Sequence, residues 1–403
     1  MNHLNTLLRD ATTDAPPDHL DVTTVVSIGR SRVRRRRAVA GVAVAAATGL
    51  AFGLTLVAPD GDTRDQSPAT SPVELTLADA VPAKVGRDYD VVRTFTAHST
   101  DEAMDGDFVR GVLPDGRVVV QRYPEGDLAP SQIGLIGEGA PGVVDAPEGL
   151  GNYLGATPSA VVFGSDTRGL WILDSAGLGW TRVLEGVDLD VNMSAQPVIG
   201  DPEGRIFLTA GLGTPEGASR PIYRVDLGGA VTDVAVGGDV AAYGGRVAWT
   251  DVYDAPARSV TIRSQDGTAS FDPGTGECVE KHLGLTLDRI VLMTNCSDVA
   301  GDDEYTDVVD RIDVFDLDGR PLARITGEDL GPVRMTDRFL TITSWDEERA
   351  GTYTYDLGTG SFLRLTRSMS ELAGGETGIG STLVWEKRLD GDSGATYVVA
   401  RMR

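Results

Sequence analysis

The stretch Tyr353-Thr354-Tyr355-Asp356-Leu357-Gly358-Thr359-Gly360 decides the fold. Its first half alternates aromatic and β-branched residues, the composition of a strand on a pleated surface. Its second half is a tight turn. Asp hydrogen-bonds to nearby backbone and glycine takes positive φ without steric cost, so together they end one strand and begin its hairpin partner. The unit recurs as Trp171-Ile172-Leu173-Asp174, Tyr223-Arg224-Val225-Asp226 and Val314-Phe315-Asp316-Leu317-Asp318-Gly319, with Asp266-Gly267 as a looser copy.

A second marker runs in phase with the first. Short apolar strands follow a turn at Arg117-Val118-Val119-Val120, Ala160-Val161-Val162-Phe163, Arg205-Ile206-Phe207-Leu208, Arg246-Val247-Ala248-Trp249, Arg289-Ile290-Val291-Leu292, Arg338-Phe339-Leu340-Thr341 and Thr382-Leu383-Val384-Trp385. They are spaced 41 to 49 residues apart, the length of a four-stranded propeller blade. No long helical pattern interrupts them. Seven such units predict an all-β chain folded as a seven-bladed β-propeller, because a blade cannot bury both faces alone and neighbours must stack. The last unit is short of a strand, and Tyr89 to Ala97 is a lone strand before the first. The N-terminal strand is therefore expected to complete the last blade and close the ring.

On these markers residues 75–403 resemble WD-repeat-like and TolB-like propellers. The Trp-Asp dipeptide of true WD repeats is absent. The resemblance implies a shape rather than an activity.

The charge divides the 403-residue chain in two. The net charge is −24, yet residues 1–58 carry seven arginines against four aspartates. So acidic a body repels phosphate backbones, and no nucleic-acid partner is expected. Arg30, Arg32 and Arg34 to Arg37 precede Ala38 to Ala58, 21 residues without a charge. As a helix that run spans ~31 Å, one hydrocarbon core. Arginines before it and Asp60, Asp62 and Asp65 after it orient its N-terminus to the cytoplasm. The expected organisation is a cytoplasmic tail (1–37), a transmembrane helix (38–58), a flexible linker (59–74) and an extracytoplasmic propeller (75–403), on a single-pass protein of the cell membrane. The tail loosely resembles the leaders of membrane-anchored extracytoplasmic proteins and of transmembrane anti-sigma factors, without a His-xxx-Cys-xx-Cys zinc motif.

Cys278 precedes one inferred strand (His282–Leu287) and Cys296 follows at the end of the next (Arg289–Thr294), so antiparallel pairing would set them opposite each other. Outside the membrane a disulfide is expected between them, contributing on the order of 3 kcal/mol. The acidic loop Asp298, Asp302, Asp303, Glu304, Asp307, Asp310 offers the hard oxygens calcium takes. Asp302, Asp303 and Asp307 are its candidate ligands; a solvated loop is the plainer reading, and no cofactor is otherwise expected. No catalytic residues are assigned: Gly391-Asp392-Ser393-Gly394 reads as a turn, nothing marks His98 or His282 as a base, and Gly211-Leu212-Gly213 has no helix after it to bind phosphate. The five tryptophans should mostly pack between blades, with one or two lining a central pocket for a sugar or peptide. The expected function is a ligand- or protein-binding scaffold whose partner is a protein, peptide or glycan outside the cell. The alternatives are a propeller hydrolase or lactonase with a metal in its channel, and an envelope signalling protein acting on a cytoplasmic regulator such as a sigma factor.

Overall fold

A computed structural model describes residues 71–403, apart from internal stretches of which the longest are 184–205, 298–307 and 368–379. The described residues are strands and turns, with one 3-10 turn at Leu77–Asp79. Tail, membrane run and most of the linker lie outside them. Among the described residues no helix is long and apolar enough to cross a membrane.

Three N-terminal strands come first: β1 (Val73–Thr76), β2 (Val81–Pro82) and β3 (Tyr89–Ser99). The repeats follow as β4 (Met104–Val112), β5 (Val118–Asp127), β6 (Gln132–Ile136) and β7 (Gly142–Asp145); β8 (Leu150–Ala156), β9 (Ala160–Ser165), β10 (Leu170–Asp174) and β11 (Trp180–Val183); β12 (Ile206–Thr209), β13 (Arg220–Val225) and β14 (Val231–Gly237); β15 (Val240–Tyr243), β16 (Arg246–Thr250), β17 (Val260–Ser264) and β18 (Gly267–Phe271); β19 (Val279–Leu285), β20 (Arg289–Ser297), β21 (Val308–Asp316) and β22 (Pro321–Glu328); β23 (Leu330–Met335), β24 (Phe339–Ser344), β25 (Gly351–Asp356) and β26 (Phe362–Arg364); and β27 (Thr382–Arg388) with β28 (Gly394–Met402). Each of the seven apolar markers lies on one strand: β5, β9, β12, β16, β20, β24 and β27.

The all-β propeller expectation is met, but seven separate blades are not what the strands make. There are five sheets of blade size, with three to five strands each, and one sheet of seven strands in the order β27-β28-β3-β4-β5-β6-β7. The reason is β3. It pairs antiparallel with β28 from Tyr89 to His98, completing the last unit as expected. Its C-terminal end also pairs with β4 at Ala97↔Gly106, His98↔Asp105 and Ser99↔Met104. The last and first repeats thus share one hydrogen-bonded sheet. A count of sequence repeats is not a count of sheets.

The N-terminus does more than close the ring. β1 adds in parallel to β22 and β2 adds in parallel to β26. The N-terminal segment thus adds to two successive sheets before β3 enters the seven-stranded one. Val73 and Glu74, placed in the linker by composition, are already strand.

The hairpin turns behave as the Asp-Gly pattern predicts. Asp356 Oδ1 accepts the Gly358 and Thr359 N–H groups at 2.9 and 3.1 Å. Asp316 Oδ1 accepts Asp318 and Arg320 N–H at 3.1 and 2.9 Å, and the two oxygens of Asp174 accept Ala176 and Gly177 N–H at 3.0 and 3.2 Å. The core lies between sheets. Ala241, Ala248, Val260 and Ile262 of one sheet face Leu283, Leu285, Ile290 and Leu292 of the next. Val291, Ile312 and Ile325 in turn face Leu340, Ile342 and Tyr353. Alternation along each strand feeds both seams, so each sheet buries both faces.

Candidate functional site

A cleft of about 580 Å³ opens where three successive sheets meet, at the ends of β15, β19 and β23. Asp239 precedes β15, and Tyr253 and Asp254 follow β16. Glu280, Lys281 and His282 come from β19, Asn295 from β20 and Asp310 from β21. Asp329 and Gly331 border or lie on β23, and Trp345 follows β24. Five carboxyl groups therefore face one lysine.

Local backbone sets Asp239. Gly238 lies so close to the next strand that a Cβ there would collide with the Val252 carbonyl oxygen. Only glycine lets the chain reach β15 along this line. The approach is fixed by Gly238 N–H to Thr250 O at 2.8 Å and by Asp239 N–H to Thr250 Oγ1 at 2.8 Å. Asp239 then points across the seam to β19, where its Oδ2 accepts the Leu283 N–H at 3.0 Å. Glu280 answers in the opposite direction: its Oε2 accepts the Thr250 hydroxyl at 3.1 Å. Glu280 is 3% exposed and the Asp239 side chain 13%.

Burial dominates their electrostatics. It pushes the Asp239 carboxyl up to about 6, against the Leu283 N–H and the Arg220 guanidinium, which favour the anion. It pushes Glu280 well above the usual carboxylate range, and the charge of Asp239 adds to the rise. Both shifts favour the protonated form, and burial is the leading cause of each. His282, whose Nδ1 is 4.0 Å from Asp239 Oδ2, is pushed down to about 4 by burial and by Arg334, and is neutral there. Arg220 is itself buried, its guanidinium carbon 3.2 Å from the centroid of the Tyr253 ring.

A second acid crosses the next seam. Asp310 Oδ2 accepts the Leu330 N–H at 2.7 Å and its Oδ1 accepts the Asn295 amide at 2.8 Å; burial raises its carboxyl nonetheless. Lys281 is tied to Asp254 by a 2.6 Å ion pair. Trp345 is 40% exposed and packs over Gly331, where a Cβ would sit 2.9 Å from the ring.

Of the residues singled out by sequence, Cys278 and Cys296 form the expected disulfide, joining the start of β19 to β20 beside the cleft. Among the tryptophans, Trp249 and Trp385 are buried, Trp171 packs edge-on to Trp180, and Trp345 lines the cleft. Asp302, Asp303 and Asp307, with Asp298 and Glu304, lie outside the described residues, as do Gly211 to Gly213 and Gly391 to Ser393. Among the described residues no group of three or more His, Cys, Asp and Glu side chains is placed to hold a metal. The sequence reading missed Asp239 and Glu280. The available signal was the Gly237-Gly238-Asp239 step before an apolar strand, a glycine pair with no turn to serve.

No protein-family description matches the chain, and no curated protein matches it significantly. Solved structures share the propeller arrangement. An oligogalacturonate lyase in complex with manganese is 12% identical, with a TM-score of 0.49 over 80% of this chain and 98% of that one. A TolB homologue from Agrobacterium tumefaciens is 14% identical, with a TM-score of 0.35 over 59% and 90%. BamB from Moraxella catarrhalis is 12% identical, with a TM-score of 0.38 over 78% and 99%. At these identities the likeness is one of fold alone, and it assigns neither a family nor an activity to this chain.

Proposed function

We propose that this chain is a membrane-anchored extracytoplasmic propeller that works as a binding module, with the cleft between the β15, β19 and β23 sheets as its ligand face. The observation that carries the reading is the lining: five carboxyls against one lysine, with Trp345 half open to solvent at the rim. Such a surface favours a cationic group with an aliphatic stem, as on a lysine- or arginine-bearing segment of a partner protein, since the ring takes the stem and the carboxyls take the charge. The uncharged run at 38–58, with arginines on one side and acids on the other, supports the anchor. The Cys278–Cys296 disulfide supports an oxidising compartment for the propeller.

Calorimetric titration of the full-length chain in detergent tests the ligand face. A tetralysine peptide should bind and weaken as salt rises, whereas a tetraglutamate peptide should not bind. Trp345→Ala should weaken the lysine peptide without altering the fold. Equal affinity for the two peptides, or none for either, overturns the reading. Protease protection in intact cells checks the topology: digestion of the propeller from outside is the expected result.

A further inference from the structure

β1 is held to the propeller lightly, except at one point. Its four residues are mostly exposed and pair in parallel with Ala323 to Thr326 of β22. The side-chain ties are long: Arg324 to Glu74 at 3.4 Å, and the Thr326 hydroxyl to Leu75 O at 3.4 Å. The chain then turns at Leu77–Asp79, where the Thr76 N–H and hydroxyl both donate to Asp79 Oδ2, at 2.7 and 2.9 Å. That turn aims Leu77 inward, and it is 4% exposed between exposed neighbours.

Leu77 lands behind the cleft. It shares one core cluster with Met293, Leu330 and Val333, and all three of these line the cleft. The meeting point is Gly327 of β22. A Cβ there would lie 2.8 Å from Leu330 Cδ2 and 3.2 Å from both Cδ1 and Cγ of Leu77. The two leucines thus close over a strand that carries no side chain at that position. Leu330 in turn carries the N–H that Asp310 holds at 2.7 Å, and the Asp329 carbonyl accepts the Trp345 N–H at 2.9 Å. The apolar wall of the cleft, one of its acids and its tryptophan are therefore joined at Asp329 and Leu330, and Leu77 backs them.

We propose that the N-terminal segment Val73 to Ala80 is a clip, with Leu77 as its positioning residue. Seated, it holds the wall of Leu330 and Val333 where a ligand meets it; released, it lets that wall relax and the cleft loosen. The clip regulates the cleft, and its effect on ligand binding rests on the function proposed above. A short parallel strand on a sheet edge, with one buried side chain, opens more readily than the sheet it joins. β1 is also where the chain enters the described propeller, so a pull on the preceding residues reaches it first. Binding and seating are reciprocal: a ligand that prefers the seated form holds the clip by the same factor.

Hydrogen exchange of the full-length chain in detergent, with and without tetralysine, tests the clip. In the wild type, saturating tetralysine should slow exchange about tenfold in peptides spanning 73–80, although none of those residues lines the cleft. Leu77→Ala should speed exchange of peptides containing Leu330 about tenfold, leave β10 peptides unchanged and weaken tetralysine by a similar factor. Leu77→Met refills the space and should restore both. If Leu77→Ala does not fold, Leu77→Val carries the same comparison. Tetralysine bound without protection of 73–80 overturns the clip. So does Leu330 exchange that Leu77→Ala leaves unchanged, or an equal acceleration of β10, which would mean general destabilisation. Faster Leu330 exchange in a variant of a chain that never binds tetralysine removes the cationic ligand and leaves the clip.

Discussion

Two sets of carboxylates hold this propeller together, and they differ in reach. The hairpin aspartates Asp174, Asp316 and Asp356 accept N–H groups two to four residues ahead in the chain. The cleft acids reach across seams: Asp239 to Leu283, Glu280 to Thr250 and Asp310 to Leu330. Reach sets the electrostatics. Burial acts against the charge of Asp356, yet the Arg338 guanidinium and the turn amides outweigh it and hold the carboxyl below its usual range. Burial wins at Asp239, Glu280 and Asp310, which are raised. A carboxylate in its own turn is solvated by backbone that bends around it; one aimed across a seam meets the few donors the neighbouring sheet can spare.

The largest consequence is a pair of opposed pH slopes. Asp239 titrates at about 6 in the fold against 3.8 unfolded, so the folded state binds more protons in that window. The stability this gives is full below the unfolded value and is lost as pH rises through about 6, roughly 3 kcal/mol in all. Glu280, raised well above its unfolded 4.5, adds to the fall from about pH 4.5 upward. His282 runs the other way: at about 4 in the fold against 6.5 unfolded, it takes up its proton more readily unfolded. Its neutral burial is fully tolerated above the unfolded value and costs stability as pH falls toward about 4, again roughly 3 kcal/mol. Denaturant midpoints of the wild type should therefore fall between about pH 4.5 and about pH 6, at roughly half the slope the two acids would give without His282. His282→Gln should steepen that fall and Asp239→Asn should flatten it. Variants that both track the wild type would erase the distinction between the two sets.

Asp310→Ala comes next. It leaves the Leu330 N–H and the Asn295 amide without their acceptor at a site 5% exposed, a loss of about 2–3 kcal/mol by thermal denaturation. Asp356→Ala removes the acceptor of two turn amides and the partner of Arg338; Asp356 is as buried as Asp310, but the Gly358 and Thr359 amides it caps are exposed and the arginine is 41% exposed. About 1–2 kcal/mol is expected. A cost for Asp356→Ala above that of Asp310→Ala would show that reach is not what ranks them.

The same division explains what could be read from the chain. The hairpin aspartates were legible because residue and partner share one short window, and Asp followed by glycine has few other uses. The repeat was legible because it compounds that signal. Asp239 and Leu283 are 44 positions apart, and Asp310 and Leu330 are 20. Nothing in either neighbourhood names the other. β1 and β2 were missed for the same reason, since Arg324 meets Glu74 from 250 positions away and four residues of Val-Glu-Leu-Thr carry no signature. The number of sheets was misjudged because β3 pairs on both edges, and pairing is decided by the neighbour rather than by the strand. Cys278 and Cys296 were legible because both sit in one hairpin, where antiparallel register alone sets them opposite.

Asp174→Ala should have the smallest effect, and it isolates the local term. The aspartate is exposed, and the Ala176 and Gly177 amides it caps are exposed too. Water replaces the lost acceptor, so only the net worth of the bonds disappears, about 0.5 kcal/mol. The turn also keeps Leu178 at φ 55°, held by its N–H to Asp174 O at 3.0 Å, a bond the substitution does not remove. Replacing Leu178 by glycine instead would relieve that positive φ and stabilise by a similar amount at most, because the Leu178 side chain is partly buried against Tyr153 and its neighbours. Thermal denaturation of the two variants should bracket the wild type within about one degree or two on either side. A fall several times larger for Asp174→Ala would mean that the hairpin aspartates, like the cleft acids, act beyond their own turn.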